Sequence, residues 1–267
     1  MKSHILHRIL ASAAVLFFAA GSYAEVIGRD DFETGTASRL WTGFEYASVA
    51  DLQETGRSGK GLKFTFIGNS SSTVDATSEA RFDLGAIYTD ISIEYDLFIP
   101  TNYSHVVPSD RADNNKFFRL WQKTYGDITT GNQLGASMLA NSGGSVLGTD
   151  YQMFPGWGTS TAIVQYKSFI TSADLGKWHT IKIWVKSGVS LGDYGFIKIY
   201  KNGNLIIEDK GLPVINKLTQ GWRYGYILGW SNSGFRQTTN LYVDNVVMSV
   251  NASLNPPKAP TSPSITK

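Results

Sequence analysis

Cysteine is absent from this chain of 267 residues, and histidine occurs only four times. The lack of cysteine excludes disulfides, zinc–thiolate sites, iron–sulfur clusters and thiol nucleophiles. An excess of charge of one sign is also absent. Lys2 and Arg8 fall in the first 24 residues, so the rest of the chain has 22 Lys and Arg against 22 Asp and Glu and is neutral. A neutral chain lacks the positive excess that binding to phosphates requires, so nucleic acid is not an expected partner.

Long apolar runs are missing as well. The longest, over residues 9–20, falls short of the roughly 20 residues that span a bilayer, so no membrane span is expected. It follows the basic residues Lys2 and Arg8 and precedes Ser22-Tyr23-Ala24, whose small residues suit signal peptidase. We therefore predict a signal peptide at residues 1–24. A secreted chain without cysteine is typical of the bacterial periplasm or medium.

The far end of the chain is rich in proline. Four of the eight prolines lie between Asn255 and Lys267, which disfavours any regular element there. We predict a Pro-rich tail at residues 253–267 and one domain over residues 25–252.

That domain shows apolar and polar residues in two-residue alternation and no long amphipathic helix. The alternation is clearest in Ile91–Ile99, Trp178–Lys186 and Phe196–Tyr200, and Asn202-Gly203 is typical of a two-residue hairpin turn. Many short strands joined by turns predict an all-β fold, an antiparallel two-sheet jelly-roll sandwich.

Three strands combine aromatic and basic residues on the face opposite their apolar set. These residues are Phe117, Arg119, Trp121 and Lys123, then Trp178, Lys182, Trp184 and Lys186, then Phe196, Lys198 and Tyr200. One interpretation is a groove for an acidic polysaccharide, in which sugar rings stack on aromatic rings and cations pair with carboxylates. The other is a second, covered core. His179 belongs to the apolar set and is predicted to be a satisfied core or edge histidine.

Several segments together resemble concanavalin A-like jelly-roll domains, including alginate-, glucuronan- and heparin-lyase-like polysaccharide lyases. Glu94–Tyr103 followed by Asn115–Trp121 resembles a strand pair that lines their cleft, and Gly195–Gly203 resembles their hairpin. Asp30–Glu33 and Tyr242–Val247 resemble their adjacent first and last strands. The resemblance implies the jelly-roll fold and, as an activity, cleavage of an acidic uronate polymer by β-elimination.

The chain also departs from related families. The Arg-Glu-x-Arg, Gln-Ile-His and Tyr-x-Lys-x-Gly-x-Tyr-x-Gln motifs of alginate lyases are absent. Glu94-Tyr95-Asp96 lacks the second glutamate of the related glucanases, so the carboxylate pair of a retaining glycosidase is not recognised there.

Lyase chemistry needs a group that neutralises the uronate carboxylate and a base that removes the C5 proton. The sequence predicts Arg119, with Lys123 or Lys182, in the first role. Tyr200 or His105 is predicted as the base, with Lys198 assisting. Further contacts with substrate are predicted for Trp121, Lys123, Lys182, Trp184, Arg223, Tyr226 and Trp230.

The adjacent first and last strands also suggest a structural calcium ion. Asp31, Glu33 and Asp244 would supply oxygen ligands if those strands pair, and the alternative is an ordinary acidic surface. No other cofactor is expected. Two other functions stay open, a non-catalytic carbohydrate-binding or adhesion module and an envelope structural protein, and the sequence leaves the oligomeric state undetermined.

Overall fold

The computed structural model describes residues 24–69, 74–107, 115–121, 133–141, 146–154, 160–161, 167–187, 195–212 and 221–251. The predicted signal peptide, apart from Ala24, and the predicted Pro-rich tail lie outside these residues. No helix in the described part is long and apolar enough to cross a membrane.

The described residues form strands and two short 3-10 turns, at Gln53–Thr55 and Ser172–Asp174. In chain order the strands are β1 (Ala24–Asp30), β2 (Trp41–Glu45), β3 (Ala47–Asp51), β4 (Lys60–Phe66), β5 (Ala76–Tyr88), β6 (Asp90–Ile99), β7 (Asn115–Trp121), β8 (Gln133–Asn141), β9 (Val146–Phe154), β10 (Ser160–Thr161), β11 (Lys167–Ser168), β12 (Lys177–Lys186), β13 (Gly195–Lys201), β14 (Asn204–Leu212), β15 (Trp222–Ser231) and β16 (Thr239–Asn251).

The strands make two antiparallel sheets. Sheet A has the order β14-β13-β12-β6-β16-β4-β3, with β1 also paired to β16. Sheet B has the order β10-β9-β8-β7-β15-β5-β2, with β11 also paired to β9. Neighbours in both sheets are often distant in sequence, as in a jelly roll, so the predicted fold class is confirmed. The expected pairing of first and last strands is also present, with Asp30 opposite Val246.

The core lies between the sheets and comes from one face of each strand. Ile181, Ile183 and Val185 of β12 are buried there, and Phe118 and Leu120 of β7 face them from sheet B. The alternate residues of β12, and Arg119 and Trp121 of β7, consequently point away from the core, to the outer face of their own sheet. Phe117, which the sequence predicted on that outer face, lies instead in the core, because β7 has an irregular register between Lys116 and Phe118.

Asp30 ties the end of β1 to the start of β2. Its carboxylate accepts hydrogen bonds from the backbone amides of Phe32 (3.0 Å) and Ser38 (2.7 Å) and from the Trp41 indole (2.8 Å). These bonds satisfy a buried charge and fix the connection that crosses from sheet A to sheet B.

Candidate functional site

The outer face of sheet B holds a compact group of buried polar and aromatic side chains. Arg119 and Trp121 lie on β7 and Tyr226 on β15, and only 4–5% of each is exposed. Tyr226 is the direct cross-strand partner of Arg119, and Trp121 is that of Tyr224. We call Arg119, Trp121, Tyr224 and Tyr226 the sheet B site.

The aromatic rings of this site pack on one another, and one of them contacts its cation. The Trp121 and Tyr226 rings pack edge to face, with centroids 5.2 Å apart. The Arg119 guanidinium lies 5.1 Å from the centroid of the Trp121 ring, a cation–π contact that is strong where water is excluded. The site thus offers a positive charge beside a phenol in a largely dry setting.

Burial is the main influence on the Tyr226 hydroxyl. It raises the pKa of Tyr226 far above the ordinary value, while the Arg119 guanidinium lowers the pKa and the Glu79 carboxylate raises it. The net effect is upward, so the phenol stays protonated at neutral and mildly alkaline pH.

Glycine at position 229 gives the Tyr226 ring its space. A Cβ atom at Gly229 would lie 2.3 Å from Cε2 of Tyr226, and the backbone there has φ +146°. The ring therefore packs directly on the main chain, which fixes the position of the hydroxyl.

Next to Tyr226 lies a set of charged residues for which the sequence predicted no role. On the other side from Arg119, the cross-strand partner of Tyr226 is Arg81 of β5, whose guanidinium contacts both Glu79 and Glu45. The signal was visible: charges at positions 79, 81 and 83 alternate with apolar Ala80, Phe82 and Leu84.

Two other predicted contacts also lie on β15. Arg223 holds Asp83 through two hydrogen bonds, at 2.8 and 2.9 Å, and stacks on the Tyr224 ring. The Arg223 guanidinium, through those bonds, holds the pKa of Asp83 below its usual range.

Trp230 is 47% exposed, and Asp75 accepts a hydrogen bond from its indole at 2.9 Å. Lys123 lies outside the described residues.

Lys182, Trp184, Lys198 and Tyr200 lie on the outer face of the opposite sheet, A. Their strands alternate so that Ile181, Ile183 and Ile199 enter the core. The structure does not bring these four residues together with Arg119, which lies on the outer face of sheet B.

The cations of this second face are paired with acids. Lys182 lies 3.7 Å from Glu94, and Lys198 lies 3.2 Å from Glu208. The Trp184 indole donates to Asp90 at 2.7 Å. The acids on β6 stand beside the cations on β12 because those two strands pair, which places Lys182 opposite Glu94. The aromatic and basic pattern of sheet A is therefore a charge-balanced surface.

Both histidines in the described part are buried. His105, one of the two residues predicted as the base, has its Nε2 hydrogen-bonded to the Ser231 hydroxyl at 2.7 Å, and its ring packs on Phe235. His179 contacts the Asp174 carbonyl at 3.0 Å and Asn202 at 3.2 Å, as predicted for a satisfied histidine.

The three carboxylates proposed for calcium do not form one ligand set. Asp31 accepts from the backbone amide of Glu33, Glu33 accepts from that of Lys60, and Asp244 pairs with Arg57 at 3.3 Å. Among the described residues, no three His, Asp or Glu side chains are arranged to hold a metal ion. A structural calcium stays a prediction.

No protein-family model and no curated protein sequence matches the chain. Solved structures do match in shape. The endo-β-1,4-glucuronan lyase of the fungus Trichoderma reesei aligns with a TM-score of 0.57 at 12% identity, over 79% of this chain and 92% of that one.

Two further structures extend the comparison. Alginate lyase Aly36B aligns with a TM-score of 0.53 at 16% identity, over 87% of this chain and 93% of its own. A family 16 endo-glucanase from Bacteroides ovatus aligns with a TM-score of 0.56 at 11% identity, over 83% and 99%. At sequence identities this low, the similarity shows a shared fold only. The chain has the concanavalin A-like jelly-roll fold that polysaccharide lyases share with a glycoside hydrolase.

Proposed function

We propose that this protein cleaves a uronate-containing polysaccharide by β-elimination on the outer face of sheet B. The observation that carries the proposal is the pairing of Arg119 with Tyr226 across neighbouring strands, both buried beside Trp121. A fold shared with a glucuronan lyase and an alginate lyase supports it. Export to the periplasm or medium, where such polymers occur, is part of the same proposal.

Arg119 would bind the uronate carboxylate. Its guanidinium can hold both carboxylate oxygens, and in a dry site it stabilises the negative charge that develops as the C5 proton leaves. Trp121 would stack against a sugar ring and keep the carboxylate in place.

Tyr226 would transfer the proton. The raised pKa disfavours a free phenolate, so we propose that the neutral hydroxyl acts in one step. Its oxygen accepts the C5 proton while its own proton passes to the glycosidic oxygen. The C5–H electron pair forms the C4–C5 double bond, the C4–O bond breaks, and Tyr226 ends neutral as it began. In this proposal Tyr226 takes the role that the sequence prediction gave to Tyr200 or His105.

The test is the ultraviolet absorbance of the unsaturated product on a panel of acidic polysaccharides, among them alginate and glucuronan. We expect product with the wild-type protein and a loss of kcat of about 100-fold or more in Tyr226→Phe. Tyr200→Phe, on sheet A, is the matched variant and should retain activity.

Binding without any unsaturated product would contradict the lyase and favour the carbohydrate-binding module, for which the exposed indole of Trp230 is a suitable stacking surface. If the protein neither binds nor cleaves any of the polysaccharides, the envelope structural role is the function that remains. Full activity of Tyr226→Phe together with loss of activity in Tyr200→Phe would instead place the reaction on the outer face of sheet A.

A further inference from the structure

Strand β15 has one more residue than β7 where the two strands pass the sheet B site. From Ile227 to Ser231 the chain of β15 takes four steps, whereas β7 takes three between their partners, Phe118 and Asn115. Such a β-bulge changes the direction of the side chains around it, and bulges are frequent beside active sites. The bulge therefore shapes the outer face of sheet B next to Tyr226.

The bulge turns one side chain inward and the next large one outward. Leu228, with φ +55°, is buried in the core, and Gly229, with φ +146°, has no side chain. Trp230 follows, and at 47% it is more exposed than any other tryptophan in the described part of the chain. Its cross-strand partner on β5 is Thr77, whose neighbour Ala76 enters the core. The indole of Trp230 therefore lies on the outer face of sheet B.

Hydrogen bonds hold this indole in one orientation. Its Nε1 donates to Asp75 at 2.9 Å, and the other oxygen of that carboxylate accepts from the backbone amide of Ser233 at 2.9 Å. Lys116 of β7 donates to the Trp230 carbonyl (3.4 Å) and to the side chain of Asn232 (2.8 Å). The ring is thus fixed although much of its surface faces solvent, so stacking a ligand on it costs little conformational entropy.

Strand geometry gives the distance from this indole to the proposed chemistry. Trp230 lies four residues after Tyr226, and their partners on β5, Thr77 and Arg81, are also four apart. At about 3.3 Å per residue the two positions are roughly 13 Å apart along the sheet, a length of about two to three pyranose rings. A polysaccharide that is cleaved at Tyr226 and runs along β15 consequently reaches Trp230.

We propose that Trp230 forms a distal sugar subsite, in which one pyranose ring stacks on the indole about two to three rings beyond the ring that reacts at Tyr226. This inference rests on the proposed function and adds the length of chain that the site selects. A substrate must have about four sugars or more to cover both positions, so the protein acts within long chains rather than on short fragments.

The experiment measures how the rate depends on chain length. Trimers and hexamers of glucuronan and of alginate are separated by size and assayed for unsaturated product. In the wild-type protein, kcat/KM on hexamers should exceed that on trimers about tenfold or more, because only hexamers reach the indole. In Trp230→Ala this ratio should fall about tenfold, mainly through a higher KM, since the stacking is the same before and during the reaction.

The choice of bond within a hexamer gives a second measurement. Stacking on Trp230 fixes the register of the chain, so the wild-type protein should favour one bond and release one main pair of products. Trp230→Ala should spread the cleavage over more bonds. Chromatography of the early products measures this, and a loss of stability alone would not change it.

Two variants separate stacking from a general effect. Trp184→Ala is the matched control, because the Trp184 indole also donates to a carboxylate, that of Asp90, but on sheet A. It should change the ratio of hexamer to trimer by less than about twofold. Trp230→Phe keeps an aromatic face and should retain part of the length dependence, and it keeps the test valid if Trp230→Ala folds poorly.

The outcomes separate the two proposals. A wild-type ratio near one, or an unchanged ratio in Trp230→Ala, overturns the distal subsite and leaves the lyase proposal standing. The same holds if Trp184→Ala and Trp230→Ala lower the ratio equally. Absence of product from every oligomer and from the intact polymers overturns both.

Discussion

The two outer faces of the sandwich have similar residue types but opposite states of burial. On sheet A, Lys182 and Lys198 are partly exposed and each faces a carboxylate. On sheet B, Arg119 and Tyr226 are buried although they lie on the side away from the core. A cation on a strand face is therefore a weak indication of a site, whereas a cation and a phenol buried together outside the core are a strong one.

Replacement of the sheet B cation should have the largest effect. We expect Arg119→Ala to lower kcat/KM by about 1,000-fold, because it removes the guanidinium that is proposed to neutralise the uronate carboxylate in the transition state. Lys182→Ala, on sheet A, should change it by no more than about twofold. Steady-state assays on the best polymer measure both. Equal losses in the two variants would abolish the distinction between the faces.

A methyl group beneath Tyr226 should have the next largest effect. We expect Gly229→Ala to push the ring aside and lower kcat by about 10- to 100-fold, since small displacements of a reacting group are costly. Gly203→Ala is the matched control: its φ is +77° but no atom lies within 4 Å of the added Cβ, so only stability should fall. Activity lost equally in both would show a general backbone effect.

Substitutions on sheet A should change the stability of the protein rather than its activity. Asp96 accepts from Arg57 (2.9 Å), Asn245 (3.0 Å) and Thr180 (2.8 Å). Burial alone would raise the pKa of Asp96, but these hydrogen bonds lower it overall. Burial raises the pKa of the neighbouring Asp244, against smaller lowering effects of Asn245 and Arg57.

We therefore expect Asp96→Asn to lower the free energy of unfolding at pH 7 by about 2 kcal/mol, and Asp244→Asn by less than about 1 kcal/mol. The Asp96 contribution is present above its unfolded pKa of about 3.9 and disappears as the pH falls through the folded value. For Asp244, stability is instead lost as the pH rises through its raised folded pKa. Urea unfolding of both variants at several pH values checks the signs, and a larger loss from Asp244→Asn would contradict them.

The smallest effect should come from the rim of the sheet B site. Arg223→Ala should cost about 1 kcal/mol of stability at pH 7, because the pair with Asp83 is partly exposed, and the cost should vanish as acid protonates Asp83. Thermal unfolding at pH 7 and under acid conditions measures it. A loss that persists in acid would assign the role of Arg223 to stacking on Tyr224.

The strand pattern and the turn at Asn202-Gly203 were predictable because both depend on residues close in sequence. The pairing of β12 with β6 could not be predicted, because these strands are separated by about 80 residues. That pairing is what places Glu94 beside Lys182. The sequence could place Arg119 on an outer face. It could not place Tyr226 next to it or bury both, since those facts depend on which strands neighbour β7.

Strand β16 pairs with β4, β6 and β1 along its length. Without residues 239–251, sheet A would be split into separate pieces, each with an unsatisfied strand edge. The ribosome must therefore have synthesised the chain through Asn251 before sheet A can close, and until then the nascent chain exposes strands prone to pairing wrongly. Folding is expected to follow synthesis rather than accompany it, at the slow rate typical of long-range β pairing.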